Sequence, residues 1–423
     1  VPEQPATLGD WLAHWERVHP QSIALGLGRV AEVARRLALG RPAPLVITVA
    51  GTNGKGSTVA FLDAMLRAAD RVVGAFTSPH LLRYNERIRV DGEPVDDAEI
   101  VAAFRRIEAA RGELPLTYFE AGTLAALAVF QAREVDVAVL EVGLGGRLDA
   151  VNLVDADGVV ITTVDLDHQD WLGDDREAIG AEKAGVMRPG VVAVLGEDEP
   201  PASVLAHAAQ IGAPLQRAAI DFDTGDAADG WWWRHIDGTR LQLPNPRLAA
   251  PVQRRNAAAA IAILHALRER LAVPEAALTR GVVEAVVPGR LQQIAGSPET
   301  VVDVGHNPQA ARELARWLAG APARRTVAVF SALADKDIGG IVAPLAASIE
   351  AWFVAGLDAE TRRGLDTAGV AARLRASGID PQACESVAGA LRAARAAAGP
   401  DGRVVVFGSF FTVAAALRAL GGA

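Results

Sequence analysis

Pro44-Leu-Val-Ile-Thr-Val-Ala50 runs straight into Gly51-Thr-Asn-Gly-Lys-Gly-Ser-Thr58, and residues 57–69 then recur with helical period. An unbroken apolar run of that length is a buried strand. A buried strand that enters a helix through a glycine-rich turn begins an α/β unit. In such a turn the backbone N–H groups face a phosphate chain, the helix N-terminus adds a favourable dipole, and Lys55 adds a point charge. The spacing departs from the standard P-loop. Its first glycine would fall at Val49 and its Ser/Thr at Gly56, whereas the hydroxyls here come at Ser57 and Thr58. With a strand before it and a helix after it, the turn is expected to hold phosphates.

The same rhythm extends outward. Residues 72–77, 135–142, 158–164 and 191–195 have the composition of further buried strands, with helical stretches at 97–111 and 119–133. Such alternation predicts a parallel sheet covered on both faces. Residues 221–243 break the pattern with Trp231-Trp232-Trp233 and a turn signal at Asp237-Gly238, which predicts a small antiparallel unit whose tryptophans pack. An Ala-rich helix follows over 253–271. Beyond Val287-Pro288-Gly289-Arg290 new strands appear at 300–304, 326–330, 351–354 and 403–407. The expected architecture is α/β: a P-loop-containing ATPase domain (1–288) with a mostly parallel sheet plus the antiparallel unit, a linker (289–297), and a smaller Rossmann-like α/β domain (298–423).

Composition narrows the function. The 423 residues are 50% hydrophobic and 22% charged, which supplies ample core. The net charge of −9 argues against general nucleic-acid or anionic-membrane partners. One cysteine, Cys384, excludes an intramolecular disulfide and a Cys-rich metal site, and fits a reducing compartment. The N-terminal stretch carries Glu3, Asp10 and Glu16 without a continuous apolar core, so it does not have the form of a secretory signal. The longest apolar run, 121–130, is too short to span a bilayer and suits a buried helix. A cytoplasmic enzyme is expected.

Two further motifs carry chemistry. In Leu140-Glu-Val-Gly-Leu-Gly-Gly-Arg-Leu-Asp-Ala150, Glu141 ends a buried strand. In open parallel sheets the carboxyl ends of strands face the ligand crevice, so a carboxylate there is placed to hold Mg²⁺; alone, it could equally be a capping residue. Asp165-Leu-Asp-His-Gln-Asp-Trp-Leu-Gly173 follows the next strand and precedes Glu182-Lys-Ala-Gly185. His168 has the chemistry of a metal ligand or of a structural imidazole, and Lys183 by itself would be a surface lysine.

Together with Thr77-Ser-Pro-His-Leu81, Thr117-Tyr-Phe-Glu120, Pro288-Gly-Arg290 and Asp303-Val-Gly-His-Asn-Pro308, these motifs resemble, in order and through most of the chain, the folylpolyglutamate synthase/dihydrofolate synthase branch of the Mur ligase superfamily. The resemblance implies an ATP-dependent ligase that adds L-glutamate to dihydropteroate and to reduced folates, acting as a monomer on small molecules. It implies that Thr52, Asn53, Gly54, Lys55, Gly56 and Ser57 hold the ATP phosphates. Asn256 would meet the adenine, and Arg290 and Asp303 would reach ATP from the linker and smaller domain. It assigns Ser78 and Glu141 to one Mg²⁺ and His168 and Lys183 to a second, with Lys183 carbamylated into a carboxylate-like ligand. It places Ala24, Leu25, Gly26, Thr117, Tyr118, Phe119, Glu120, Leu148, Asp149 and Ala150 around the pterin, and His306 and Ser409 near the incoming glutamate. Lys55, Lys183, His168 and His306 would thus be the catalytic set. Val151, Gly305 and Gln169 depart from the family pattern without removing a ligand.

Other readings compete. A folylpolyglutamate synthase without the first activity shares the chemistry. A muramoyl-peptide ligase would need a UDP-binding domain before the phosphate loop, where only about fifty residues stand. A non-catalytic ATP/Mg-binding protein would leave the metal set without a purpose, and a P-loop kinase would leave the Asp303 motif unexplained.

Overall fold

The computed structural model describes residues 5–21 and 23–421; the N-terminal reading that used Glu3 lies in part outside them. The chain divides into two compact units, Val1–Arg247 with Arg254–Ala285, and Leu248–Gln253 with Val286–Ala423.

The first unit is built on strands β1 (Leu45–Ala50), β2 (Val73–Phe76), β3 (Ile88–Val90), β4 (Glu93–Pro94), β5 (Val137–Glu141), β6 (Gly158–Ile161), β7 (Val192–Leu195) and β8 (Leu215–Arg217). They form one sheet in the order β4-β3-β2-β5-β1-β6-β7-β8. The pairs from β2 to β8 are parallel, and β3 and β4 add an antiparallel edge. Every residue of β1, β2, β5 and β6 is buried. That double-sided burial is why these strands are continuous apolar runs rather than alternating ones.

Helices cover both faces. On one, Leu8–Val18 inserts Trp11 and Trp15, fully buried against Phe104 of Asp97–Arg111. Helix Lys55–Ala68 crosses Glu275–Glu284 closely, since a Cβ at Gly281 would lie 2.6 Å from the Met65 Cα. The Ala-rich helix, Gln253–Ala266, presses Ile263 to within 2.8 Å of where a Cβ on Gly158 of β6 would stand. The stretch 121–130 lies in the buried helix Tyr118–Ala132, as expected.

The predicted antiparallel unit is a separate three-stranded sheet of β9 (Phe222–Ala227), β10 (Gly230–His235) and β11 (Arg240–Leu243). The period of two along β10 buries Trp231 and Trp233 and leaves Trp232 on the other face, under the Arg234 and Arg240 guanidinium groups.

The second unit carries β12 (Gln292–Ile294), β13 (Glu299–Asp303), β14 (Thr326–Phe330), β15 (Ala351–Val354), β16 (Gln382–Ala383) and β17 (Arg403–Phe407), ordered β12-β13-β17-β14-β15-β16. All pairs are parallel except β12 with β13. The stretch 289–297, expected as a linker, therefore supplies an edge strand of this sheet. Gln292-Gln-Ile294 is too short and polar to announce itself as one. Among the described residues no helix is long and apolar enough to cross a membrane.

Candidate active site

Sheet order decides what meets. β2, β5, β1 and β6 are neighbours with their carboxyl ends on one side, so the residues that follow them share one crevice. After β1 comes the glycine-rich turn. Gly54 is the N-cap of helix Lys55–Ala68 with φ of 87°, and a Cβ there would come within 2.5 Å of Asn256 Oδ1. Gly51 has φ of 145°, and a Cβ would lie 1.9 Å from Thr162 Oγ1. Both positions need glycine, for conformation and for close approach. The turn is held by its neighbours. Thr52 N–H donates to the Thr163 carbonyl (2.7 Å), Asn53 N–H to Thr163 Oγ1 (3.2 Å), and Thr162 Oγ1 to the Asn53 carbonyl (2.6 Å). Lys55 Nζ folds back over the turn to donate to the carbonyls of Gly51 (3.0 Å) and Thr52 (3.1 Å). Gly56 and Ser57 open the helix, with Ser57 buried.

Glu141 ends β5 and is buried, and a Cβ on Gly56 would stand 3.8 Å from both its carboxylate oxygens. Its Oε2 accepts from the Ser78 N–H at 2.9 Å. Ser78, Glu141 and the start of helix Lys55–Ala68 are thus gathered in one place.

After β6, Asp165 is tied to the loop by reciprocal bonds with Thr52 Oγ1, both 3.0 Å. His168 adopts φ 52°, ψ 38° as N-cap of the short helix Gln169–Leu172. A left-handed histidine is uncommon and marks a position fixed by its surroundings. Lys183 lies in helix Arg176–Ala184 and is only 3% exposed. Burial, and next the charge of Lys55, bring its amine down to about 7, against the opposite pull of Asp167, Asp149 and Glu197. The Gly-rich turn after β5 locks this helix in place. Arg147 N–H donates to the Glu182 carbonyl (2.9 Å), and a Cβ on Gly146 would lie 3.0 Å from the Lys183 Cα.

The residues expected around the pterin also converge. Thr117 and Glu120 form a reciprocal capping box at the start of helix Tyr118–Ala132. Arg29 Nη2 bridges the Ala24 carbonyl (2.8 Å) and Glu120 Oε1 (3.0 Å). Gly26 N–H, one residue past Leu25, donates to the Leu148 carbonyl (3.1 Å). Asp149 caps the following turn, accepting from Leu144 N–H and Val151 N–H, both 3.0 Å, and Ala150 is buried beside it. Burial pushes the Asp149 carboxyl up to about 6 in spite of those bonds. Tyr118 meets Tyr84 edge-on at 5.6 Å with Arg87 over its ring, and Phe119 lies 5.8 Å from Phe76.

Within the second unit, Asp303 and Phe407 are partners at the ends of adjacent parallel strands. Asp303 accepts from Leu291 N–H (2.9 Å) and Gly305 N–H (2.7 Å), which fixes the turn carrying Arg290. Burial raises its carboxyl, opposed by the Arg290 charge. Arg290 stands 5.9 Å from the Phe410 ring centroid, and His306 packs on the same ring at 6.2 Å with Nδ1 at 2.9 Å from the Val304 carbonyl. Ser409 caps helix Phe410–Ala419. Arg290, Asp303, His306 and Ser409 therefore form one cluster.

Sequence reasoning missed four contributors. Thr162 and Thr163 were legible as hydroxyls at a strand's carboxyl end. Glu197 follows β7 by the rule that singled out Glu141; its Oε1 accepts from Val164 N–H (3.0 Å), Arg176 pairs with its other oxygen, and burial pushes it up to about 7. Arg29 had no local signal, because its partner Glu120 is 91 residues away.

The Mur ligase middle domain family matches residues 49–243, and the family described as Mur ligase, glutamate ligase domain, matches residues 289–410. Fold and site together define the class of Mur-type ligases. Within it, the dihydrofolate synthase/folylpolyglutamate synthase of Escherichia coli K12 is 44% identical over 415 residues, which is 98% of this chain and 96% of the relative. The protein of that name from Haemophilus influenzae is 37% identical, covering 96% of each. The solved E. coli FolC in complex with DHPP and ADP has a TM-score of 0.93 at 43% identity, covering 100% of this chain and 99% of that one. A bifunctional folylpolyglutamate synthase/dihydrofolate synthase with Mn, AMPPNP and L-glutamate bound gives 0.91 at 44%, covering 99% of each. The chain belongs to the dihydrofolate synthase/folylpolyglutamate synthase family of Mur ligases.

Proposed function

We propose that this protein uses ATP to join L-glutamate to 7,8-dihydropteroate, giving dihydrofolate, and to the γ-carboxylate of reduced folates, lengthening their glutamate tail. The observation that carries this reading is the convergence of the phosphate turn, the Ser78–Glu141 pair and the buried Lys183 at neighbouring strand ends of one sheet. Full-length identity to enzymes of that double name supports both activities.

A carboxylate does not condense with an amine in neutral water, because its oxygen is a poor leaving group. An oxygen of the substrate carboxylate attacks the ATP γ-phosphorus and the bond to the ADP oxygen breaks, leaving an acyl phosphate. The glutamate amine then attacks the acyl carbon, the bond to phosphate oxygen breaks, and the amine gives up a proton. Lys55, released from the turn's carbonyls by phosphate, stabilises the transferring charge, and the N–H groups from Gly54 to Ser57 cradle the phosphates, while those of Thr52 and Asn53 hold the turn to Thr163. Asn256, beside Gly54, is proposed at the adenine. Arg290 and Asp303 are proposed at the nucleotide, and His306 and Ser409 near glutamate.

The donor set suits a divalent cation. Ser78 and Glu141 offer the oxygens that Mg²⁺ prefers. His168 and Lys183 fit a second site once Lys183, through its neutral amine, adds CO₂ to give a carbamate and a proton. Bound Mg²⁺ supplies charge neutralisation at the phosphoryl oxygens. A monomeric, cytoplasmic enzyme is proposed, with the single cysteine in support.

ADP release should require both glutamate and a pterin acid, with labelled glutamate recovered in both products. Release with neither present, and no labelled product, would remove the ligase reading. Asp149→Ala should raise KM for dihydropteroate more than for tetrahydrofolate. It should also cost about 1–3 kcal/mol of stability, because one buried and one half-buried N–H group lose their acceptor. Thermal melts and KM for both acids separate the two effects.

A further inference from the structure

Away from the strand ends, the hairpin turn between β10 and β11 meets the Ala-rich helix through three side chains of metal-ligand type. Among the described residues, His235, Asp237 and His265 form a group whose ligand atoms all lie within 4.8 Å of one another. We propose that this group is a binding site for a divalent first-row transition metal of the Zn²⁺ kind, which clamps the hairpin to the helix. His235 Nδ1, an Asp237 oxygen and His265 Nε2 are the ligands, and water completes the shell.

The argument starts from His235. Its Nε2 is 2.6 Å from Gln216 Oε1, an acceptor, so Nε2 carries a hydrogen. In the neutral ring Nδ1 then presents a lone pair, and Asp237 Oδ1 stands 2.9 Å from it. A lone pair and a carboxylate oxygen that close need a positive species between them. Asp237 N–H, 3.2 Å from Nδ1, satisfies the nitrogen only in part, and Thr239 N–H bonds the same Oδ1 at 3.0 Å. On the other side, His265 Nε2 is 2.9 Å from Asp237 Oδ2.

Protons can fill both gaps, with His265 as the neutral Nε2–H tautomer and His235 as an imidazolium paired with Asp237. A divalent ion fills them with both rings neutral, and the ring centroids 4.6 Å apart bring the two facing nitrogens to the same carboxylate. One divalent ion with two neutral imidazoles and one carboxylate leaves a single net positive charge there. Arg268 is 55% exposed and donates through Nη1 to the His265 carbonyl at 2.9 Å.

The surroundings fit a metal site. Gln216 fixes the His235 tautomer from its far nitrogen, as outer partners of ligating histidines do. The Trp233 ring lies 6.0 Å from His235 at 11° and 5.4 Å from His265 at 63°, which sets both ring planes. The two imidazoles are 9% and 13% exposed and Asp237 is 34% exposed, giving an open side for ion and water. Zn–N bonds of about 2.0–2.1 Å put tetrahedral ligand atoms about 3.3 Å apart, so the two 2.9 Å contacts open by a few tenths of an ångström.

The test uses untagged full-length protein freed of metal by chelator, with catalytic sites filled by excess Mg²⁺ and AMPPNP. Calorimetric titration with Zn²⁺ should give one further equivalent per chain and a raised Tm. His235→Ala and His265→Ala should each weaken that binding at least 100-fold while leaving the ligation rate at saturating Mg²⁺ unchanged. Equal Zn²⁺ binding by the double variant would overturn the proposal. Should the variants fail to fold, imidazole NMR of the wild-type chain decides. Zn²⁺-induced shifts confined to His235 and His265 support the site, whereas rings that respond to pH and not to Zn²⁺ make the cluster an ion pair and end the proposal.

Discussion

Lys183→Arg should remove nearly all ligation, with kcat down roughly 10²–10³-fold, the range seen when a group that stabilises transition-state charge is removed. ADP affinity should change little, because the phosphate turn stays intact. The reason is chemical. Lys183 is buried and its amine is brought down to about 7, so near neutral pH a substantial share is uncharged and able to add CO₂. Arginine stays protonated and cannot carry a carbamate. The larger, permanently charged side chain also enters a site only 3% exposed, so melting temperature must be measured alongside activity. Lys183→Ala separates the two effects: a short carboxylic acid in the buffer should restore part of its activity by standing in for the missing carbamate oxygens, and should do nothing for Lys183→Arg. The wild-type chain, stripped of CO₂, should lose activity and regain it on adding bicarbonate. The sign of the pH effect follows from the lowered amine. Between about 7 and the ordinary lysine value, the unfolded chain binds the extra proton, so folding gains stability as pH rises across that interval. Full turnover by Lys183→Arg would end the carbamate assignment.

What the sequence disclosed and what it hid separate by range of interaction. β1, its glycine turn and its helix are one contiguous stretch whose period, glycines and lysine act locally, so both the fold start and the turn proposed to hold phosphates could be seen there. The tryptophan-rich hairpin was legible for the same reason, a period of two beside Asp237-Gly238. β12 was not, since three polar residues become a strand only because β13 offers an edge. Arg29 gained its place from Glu120, and His235 from His265, partners that no local pattern connects. The pterin set shows the mixed case. Its three segments were visible through resemblance, while the bonds that hold them together, Arg29 to Ala24 and Gly26 to Leu148, belong to the folded chain. Asp149, expected at the pterin, accepts from two backbone N–H groups of its own turn.

Lys55→Met is the second substitution expected to have a very large effect, and it acts twice. Methionine keeps length and apolar stem but removes the charge proposed to act on the phosphates, which alone should lower kcat roughly 10²–10³-fold. It also leaves the Gly51 and Thr52 carbonyls without the donor they have at 3.0 and 3.1 Å. Because the turn is additionally held by Thr162 and Thr163, the fold should survive, with a melting temperature close to that of the wild type. The second action is electrostatic. After burial, Lys55 is the largest influence holding the Lys183 amine down, so removing its charge returns Lys183 toward the protonated form. Less neutral amine means less carbamate at a given pH and CO₂ level. Hence the variant's residual activity should need a higher pH or more bicarbonate for its half-maximal value than the wild type does, and ¹³C-bicarbonate NMR should show weaker labelling of the chain at neutral pH. Lys55→Arg should keep Lys183 labelling near the wild-type level while still losing kcat, because it retains charge without the ammonium's fit to the turn. If labelling were the same in Lys55→Met and the wild type, the two lysines would be energetically independent, and the low amine of Lys183 would rest on its burial alone.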